Sequence, residues 1–259
     1  MNEYLTAFIG SFIMFLATTL GAGLVLFFKN VKPIFHKISL AFASGIMVAA
    51  SIWSLLLPSI SFAEEYSKLP AFVPAGLGLV LGVAFLLILE MIIDKKSQSN
   101  QNFTKDKKRS ILLFSAVTLH NIPEGMAVGL TFSIACSNNP NVTLAGAFAL
   151  AIGMAIQNIP EGSAISLPIY QNGAKKSKAF LLGALSGIVE PISALITVLL
   201  VGTISAILPY LLSFAAGAMI FVVVNELLPE SHCNEKSKIP VIFFTLGFLI
   251  MMVLDIALG

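Results

Sequence analysis

The chain has 259 residues, 57% of them hydrophobic and 11% charged, with a formal net charge of +2. A soluble domain carries roughly 25% charged residues, so this composition excludes an ordinary soluble enzyme and fits a protein built for a bilayer. The small positive balance offers no nucleic-acid surface, because the basic residues sit in short loops.

About 20 apolar residues are enough to cross a membrane as a helix. Eight such runs follow in chain order, at 5–28, 38–58, 72–93, 111–134, 142–170, 179–202, 206–228 and 239–258, called spans 1 to 8. The expected fold is an all-α integral membrane protein, an eight-transmembrane-helix bundle forming one domain over 1–259. Span 1 follows Glu3 with no lysine before it and is longer than the apolar stretch of a signal peptide, so it is expected to span. Span 5 is long enough to tilt or break. Residues 94–110 are mostly polar and read as a cytoplasmic linker loop.

Fourteen of the fifteen lysines and arginines fall in the loops after spans 1, 3, 5 and 7, and only Lys68 lies on the other side. The positive-inside rule puts those four loops in the cytoplasm and both termini outside. The expected location is the cell (plasma or inner) membrane, multi-pass, with the lipid bilayer as partner. Cys136 then lies outside and Cys233 inside, so no disulfide joins them within one chain.

Two internal similarities stand out. Phe42-Ala43-Ser44-Gly45-Ile46-Met47 of span 2 reads like Phe214-Ala215-Ala216-Gly217-Ala218-Met219 of span 7, and Leu56-Leu57-Pro58 like Leu227-Leu228-Pro229. In spans 4 and 5, Asn121-Ile122-Pro123-Glu124-Gly125 is matched by Asn158-Ile159-Pro160-Glu161-Gly162, one preceded by His120 and the other by Gln157. Each pair runs through the membrane in opposite directions. Inverted repeats with proline-interrupted helices mark secondary transporters.

The paired motif carries the chemistry. Ionisable groups at bilayer depth are costly and are kept for function. Residues four apart share a helix face, so His120 stands with Glu124 and Gln157 with Glu161. Asn121 and Asn158, three before the same glutamates, reach them from the other flank. One nitrogen and several oxygens, with two carboxylates able to bridge two ions, suit zinc, iron, manganese, cobalt or cadmium. The competing reading is a kinked helix pair whose polar groups satisfy one another. Each proline also frees the carbonyl four residues back, at Leu119 and Ile156, for a ligand or for water.

Glu190 precedes Pro191 in span 6, deep and without a basic residue in any span to pair with; a cation is the simplest partner, and protonation of a buried carboxyl is the alternative. Asn225, Glu226, Glu230 and His232 at the end of span 7 read as an exit station or as a solvated helix end. His36 reads as a surface residue. Glu90, Asp94 and Asp255 are expected merely to reach the interface. No nucleotide-binding G-x-x-x-x-G-K-[ST] and no H-E-x-x-H occurs.

On the two hexapeptides His120–Gly125 and Gln157–Gly162 the chain resembles the ZIP family of divalent metal transporters, its prokaryotic GufA-like branch in particular, over essentially its whole length. The resemblance implies a 3+2+3 inverted-repeat arrangement and carriage of a divalent metal, zinc first, into the cytoplasm by alternating access. Iron, manganese or cadmium is the alternative cargo and an intramembrane metalloenzyme the alternative class. It implies a first metal site of His120, Glu124, Gln157 and Glu161, and a second of Asn121, Glu124, Asn158, Glu161 and Glu190. Met47 and Ser54 would line the pathway, and Glu226 and Glu230 the exit. No prosthetic group or catalytic residue is implied, and the metal is cargo. A homodimer is the suggested assembly. Some relatives carry Asp where this chain has Asn158, which leaves one fewer charge in the second site, and the loop after span 3 has no histidine.

Overall fold

The computed structural model describes residues 2–28, 33–99, 105–137, 142–231 and 237–258. His232 and Cys233 lie outside them, and the His36 side chain is likewise not described. The described residues are helical almost throughout, with no strand among them. Eight helices are long and apolar enough to cross a membrane: Glu3–Leu26, Lys37–Glu65, Phe72–Lys95, Ser110–Cys136, Leu144–Gln171, Lys176–Leu199, Ala206–Ser231 and Ile239–Ala257. They keep the numbers of the eight expected spans.

Local chemistry starts these helices. Asn2 caps span 1, its Oδ1 accepting from the Tyr4 N–H at 3.0 Å, and Thr143 Oγ1 caps span 5 by accepting from Gly146 at 3.1 Å. Within a bilayer every backbone group must be satisfied inside the helix, yet five of the spans carry proline beyond their first turn. Spans 2 and 7 absorb Pro58 and Pro229 by widening into π-turns at Ser51–Leu56 and Val223–Leu227. Span 6 is two α-helical pieces, Lys176–Gly187 and Val189–Leu199, joined just before Pro191. Spans 4 and 5 stay α-helical through Pro123, Pro160 and Pro168. The break allowed for span 5 is therefore absent: it remains one helix.

Summed over whole spans, the most extensive packing joins span 1 to 5 and 6, span 2 to 7 and 8, span 3 to 7, and span 4 to 6. Spans 3 and 8 turn most of their side chains outward, while spans 2, 4 and 7 are the most enclosed. The two motif glycines set the approach around the centre. A Cβ on Gly162 would lie 2.0 Å from the Thr18 carbonyl oxygen of span 1, and one on Gly125 would lie 2.3 Å from that of Glu190 in span 6. Only glycine lets backbones come that close. Each motif thus draws in a neighbouring helix, and those helices deliver Glu190 and Thr18.

Candidate metal centre

His120, Asn121, Glu124, Gln157, Asn158, Glu161 and Glu190 are all buried, none more than 2% exposed. Spans 4 and 5 face each other through the first residue and the glutamate of each motif. His120 Nε2 lies 3.1 Å from Glu124 Oε1 and 3.1 Å from Glu161 Oε1. Gln157 Nε2 donates to the same Glu124 Oε1. Ligand atoms of His120, Glu124 and Glu161 all lie within 4.8 Å of one another.

A further layer sits beside this one. Asn158 Nδ2 donates to Glu190 Oε1 at 2.9 Å, and Asn121 Nδ2 to the Ser186 carbonyl at 3.0 Å. Thr18 Oγ1 is 3.2 Å from both Glu190 Oε1 and the Met14 carbonyl, so its one proton serves either acceptor. Glu190 lies within electrostatic reach of Glu124 and Glu161.

Each of these side chains uses one polar atom and leaves another over. Among the described residues, Oδ1 of Asn121 and Asn158 and Oε2 of Glu124, Glu161 and Glu190 have no hydrogen-bond partner, nor does His120 Nδ1. Buried polar atoms are rarely left so, and with the carboxylates ionised these five oxygens can only accept. No lysine or arginine occurs between residues 110 and 174 or between 179 and 235. What such an arrangement can do chemically is hold a cation.

Ser54 of span 2 links the cluster to span 8. Its Oγ is 3.1 Å from Gln157 Oε1 and 2.8 Å from Asp255 Oδ1 of span 8. Asp255 thus corrects the interface reading: it is half-buried and hydrogen-bonded toward the centre. With Trp53, Ser54, Glu65 and Met154 it lines a cavity of about 480 Å³ at the end of the bundle away from the basic loops. Sequence reasoning missed the part played by Asp255 and by Thr18. Asp255 sits at the very end of an apolar run, and Thr18 resembles any threonine bonded back to its own helix.

Met47 is packed in the apolar core. Glu226 is buried in the π-turn of span 7 and accepts from Asn225 at 3.1 Å, while Glu230 is half-buried one turn on. Glu90 and Asp94 do more than reach the interface: Lys108, at the start of the helix that becomes span 4, bonds them at 2.8 and 2.7 Å. Partial desolvation pulls the Lys108 pKa down, but the bonds to Asp94 and Glu90 outweigh it and hold the ammonium above its ordinary value.

Comparison with known proteins identifies the family. Residues 94–255 match the family described as ZIP Zinc transporter. The chain is 32% identical to zinc transporter ZIP11 of Xenopus tropicalis, over 100% of this chain and 98% of that protein. It is 34% identical to zinc transporter GufA of Myxococcus xanthus, over 80% and 81% of the two chains. Zinc transporter ZupT of Stenotrophomonas maltophilia strain R551-3 is 38% identical, over 85% and 84%. These relatives are zinc transporters by name, and this chain, with eight helices long and apolar enough to cross a membrane, is a multi-pass transporter rather than an enzyme and belongs to the ZIP zinc transporter family.

Proposed function

We propose that this protein carries zinc from outside the cell to the cytoplasm through a two-ion centre between spans 4, 5 and 6. The observation that carries the reading is the unbroken chain of polar contacts Asp255–Ser54–Gln157–Glu124–His120–Glu161, running from the outer cavity to a buried cluster. A hydrated ion entering the cavity meets Asp255 first. At the centre, His120, Glu124, Gln157 and Glu161 replace its water. Two ligands held about 2.0–2.1 Å from one ion sit roughly 3 Å apart, so the 3.1 Å contacts of His120 need little rearrangement. Asn121, Asn158 and Glu190 supply the adjoining position, with Glu124 and Glu161 shared. Glu226 and Glu230 stand at the far end of the route. Iron, manganese and cadmium suit the same donors, and cargo competition ranks them.

Movement between the two ends is proposed to be alternating access. Exchanging span 1 with 6, 2 with 7, 3 with 8 and 4 with 5 turns the pair 1–5 into 6–4 and the pair 3–7 into 8–2, as inverted repeats require. The π-turns fall at matching points of spans 2 and 7. Gly45 meets span 8 at Phe244 as Gly217 meets span 3 at Leu79. Spans 1, 4, 5 and 6 then form one group that slides against the other four. The basic loops favour a cytoplasmic exit, with both termini outside in the plasma or inner membrane.

The test is zinc uptake by purified protein in liposomes. Glu124→Ala and Glu161→Ala should each abolish uptake while the protein still elutes as a folded species. Substantial uptake by either variant removes the shared carboxylates from the route.

A further inference from the structure

We infer that a crevice on the basic-loop side of the bundle binds one anionic phospholipid, its acyl chain inside and its phosphate at a lysine rim. The crevice holds about 320 Å³, within the range of roughly 300–1,000 Å³ usual for ligand sites. Leu24 and Phe28 at the end of span 1, Phe35 and Phe42 at the start of span 2, and Pro160 and Leu167 of span 5 make an apolar wall. Leu24 and Phe35 are exposed, so the opening faces the hydrocarbon around the bundle. From Pro160 to Gln171 span 5 rises roughly 16 Å at about 1.5 Å per residue. That is the depth of one leaflet of a core about 30 Å thick, the length an acyl chain occupies.

Two observations ask for more than hydrocarbon. Gln171 lines the loop end of the crevice, and both its amide atoms are buried without a hydrogen-bond partner among the described residues. An amide offers two donors and an acceptor, which fits ester and phosphate oxygens. The wall segments of spans 1, 2 and 5 are also basic at this end, while Glu230 lies on the span 7 turn that packs against span 2. Lys176 Nζ donates to the Leu26 carbonyl at 3.0 Å, between wall residues Leu24 and Phe28, and lies 5.8 Å from the centre of the Tyr170 ring. Lys37 directly precedes Ile38 of the wall. No aspartate or glutamate occurs between Glu3 and Glu64 or between Glu161 and Glu190. Basic residues clustered beside a membrane surface attract anionic headgroups.

The position gives the lipid a consequence. Pro160 forms part of the wall and Glu161 is the next residue, so a chain lodged there braces span 5 against span 2. Resting on the alternating-access reading, lipid occupancy then tunes how easily the two groups slide.

Native mass spectrometry of the purified protein with added dioleoyl phosphatidylglycerol or phosphatidylcholine tests the binding. The expected result is one adduct per chain that favours phosphatidylglycerol. Ser163→Phe, which fills the crevice, should remove it. Gln171→Leu and Lys176→Gln leave the space open and guard against a misfolded filling variant. Lys176→Gln should cost about fivefold in phosphatidylglycerol affinity, the worth of one basic residue at an anionic surface, and Gln171→Leu should weaken both lipids. Equal retention of the two lipids by the parent, adducts undiminished in Ser163→Phe, or unchanged binding in both milder variants overturns the proposal. The readout contains no zinc, so its failure leaves the transport reading standing, and the reverse also holds.

Discussion

Asn158→Asp puts a charge where the centre now has an amide. In the parent, Asn158 Nδ2 donates to Glu190 Oε1 at 2.9 Å, and Thr18 stands 3.2 Å from the same oxygen. The substitution turns that donor into an acceptor. Two carboxylate charges about 3 Å apart at an effective dielectric near 20 repel by roughly 5 kcal/mol, a large share of the roughly 5–15 kcal/mol that holds a folded domain together. Without metal the variant must lose stability or hold a proton between the two carboxylates. A divalent ion between them turns the repulsion into attraction. Thermal unfolding in detergent at graded zinc, with titration calorimetry at two pH values, reads both effects. The metal-free variant should melt below the parent and gain more from zinc, each tenfold in affinity adding about 1.4 kcal/mol. Its binding should also tighten more steeply as pH rises, because any shared proton must leave first. Tighter binding slows release, so uptake at saturating zinc should fall. An unchanged zinc increment and an unchanged pH slope would make Asn158 a packing residue and refute the adjoining layer.

His120→Ala should weaken zinc binding more than manganese binding, since imidazole matters more to the borderline-soft ion; equal loss of both would count against His120 as a ligand. Asp255→Asn should raise the zinc concentration for half-maximal uptake roughly tenfold, from a dication about 5 Å from the carboxylate in water-like dielectric, with little change in maximal rate; an unchanged half-saturation removes Asp255 from the route. Cys136, half-buried with Thr6 Oγ1 3.6 Å from its sulfur, should react with an impermeant thiol reagent outside intact cells, and Cys233 only after permeabilisation. Swapped labelling would reverse the direction of transport.

The eight spans were legible because a bilayer leaves little choice: each crossing must be a long apolar helix, and each begins within a few residues of its expected start. Span 2 was the least well bounded. It ends at Glu65 rather than at residue 58, because Pro58 is absorbed in a π-turn and the helix beyond it is held to span 7 by Ser59, whose hydroxyl donates to the Pro209 carbonyl at 2.6 Å. Hydropathy sees a proline and polar residues there, and cannot see the partner. The same blindness hid Asp255, whose value lies in facing Ser54 from span 8, and Thr18, whose other acceptor lies on span 6. The seven polar residues of spans 4 to 6 were legible for the opposite reason. Polar groups inside apolar helices announce themselves, and the structure brings all seven into two adjoining layers.

Those layers follow from helix geometry acting on one short motif. Successive residues of an α-helix point about 100° apart, so adjacent motif positions face different neighbours, and positions four apart repeat the direction. His120 and Glu124 point toward span 5, where they meet Gln157 and Glu161. One residue on, Asn121 and Gly125 face span 6, the asparagine bonding the Ser186 carbonyl and the glycine admitting the backbone of Glu190. The motif of span 5 repeats the arrangement: Asn158 and Gly162 turn to span 1, meeting the carbonyls of Met14 and Thr18, while Asn158 also reaches Glu190. A histidine or glutamine followed by Asn-Ile-Pro-Glu-Gly therefore writes two faces at once, one that gathers polar side chains across the helix pair and one that recruits the next helix. Placing the motif on two antiparallel spans closes the centre from both sides, so the third carboxylate arrives through packing that the glycines make room for.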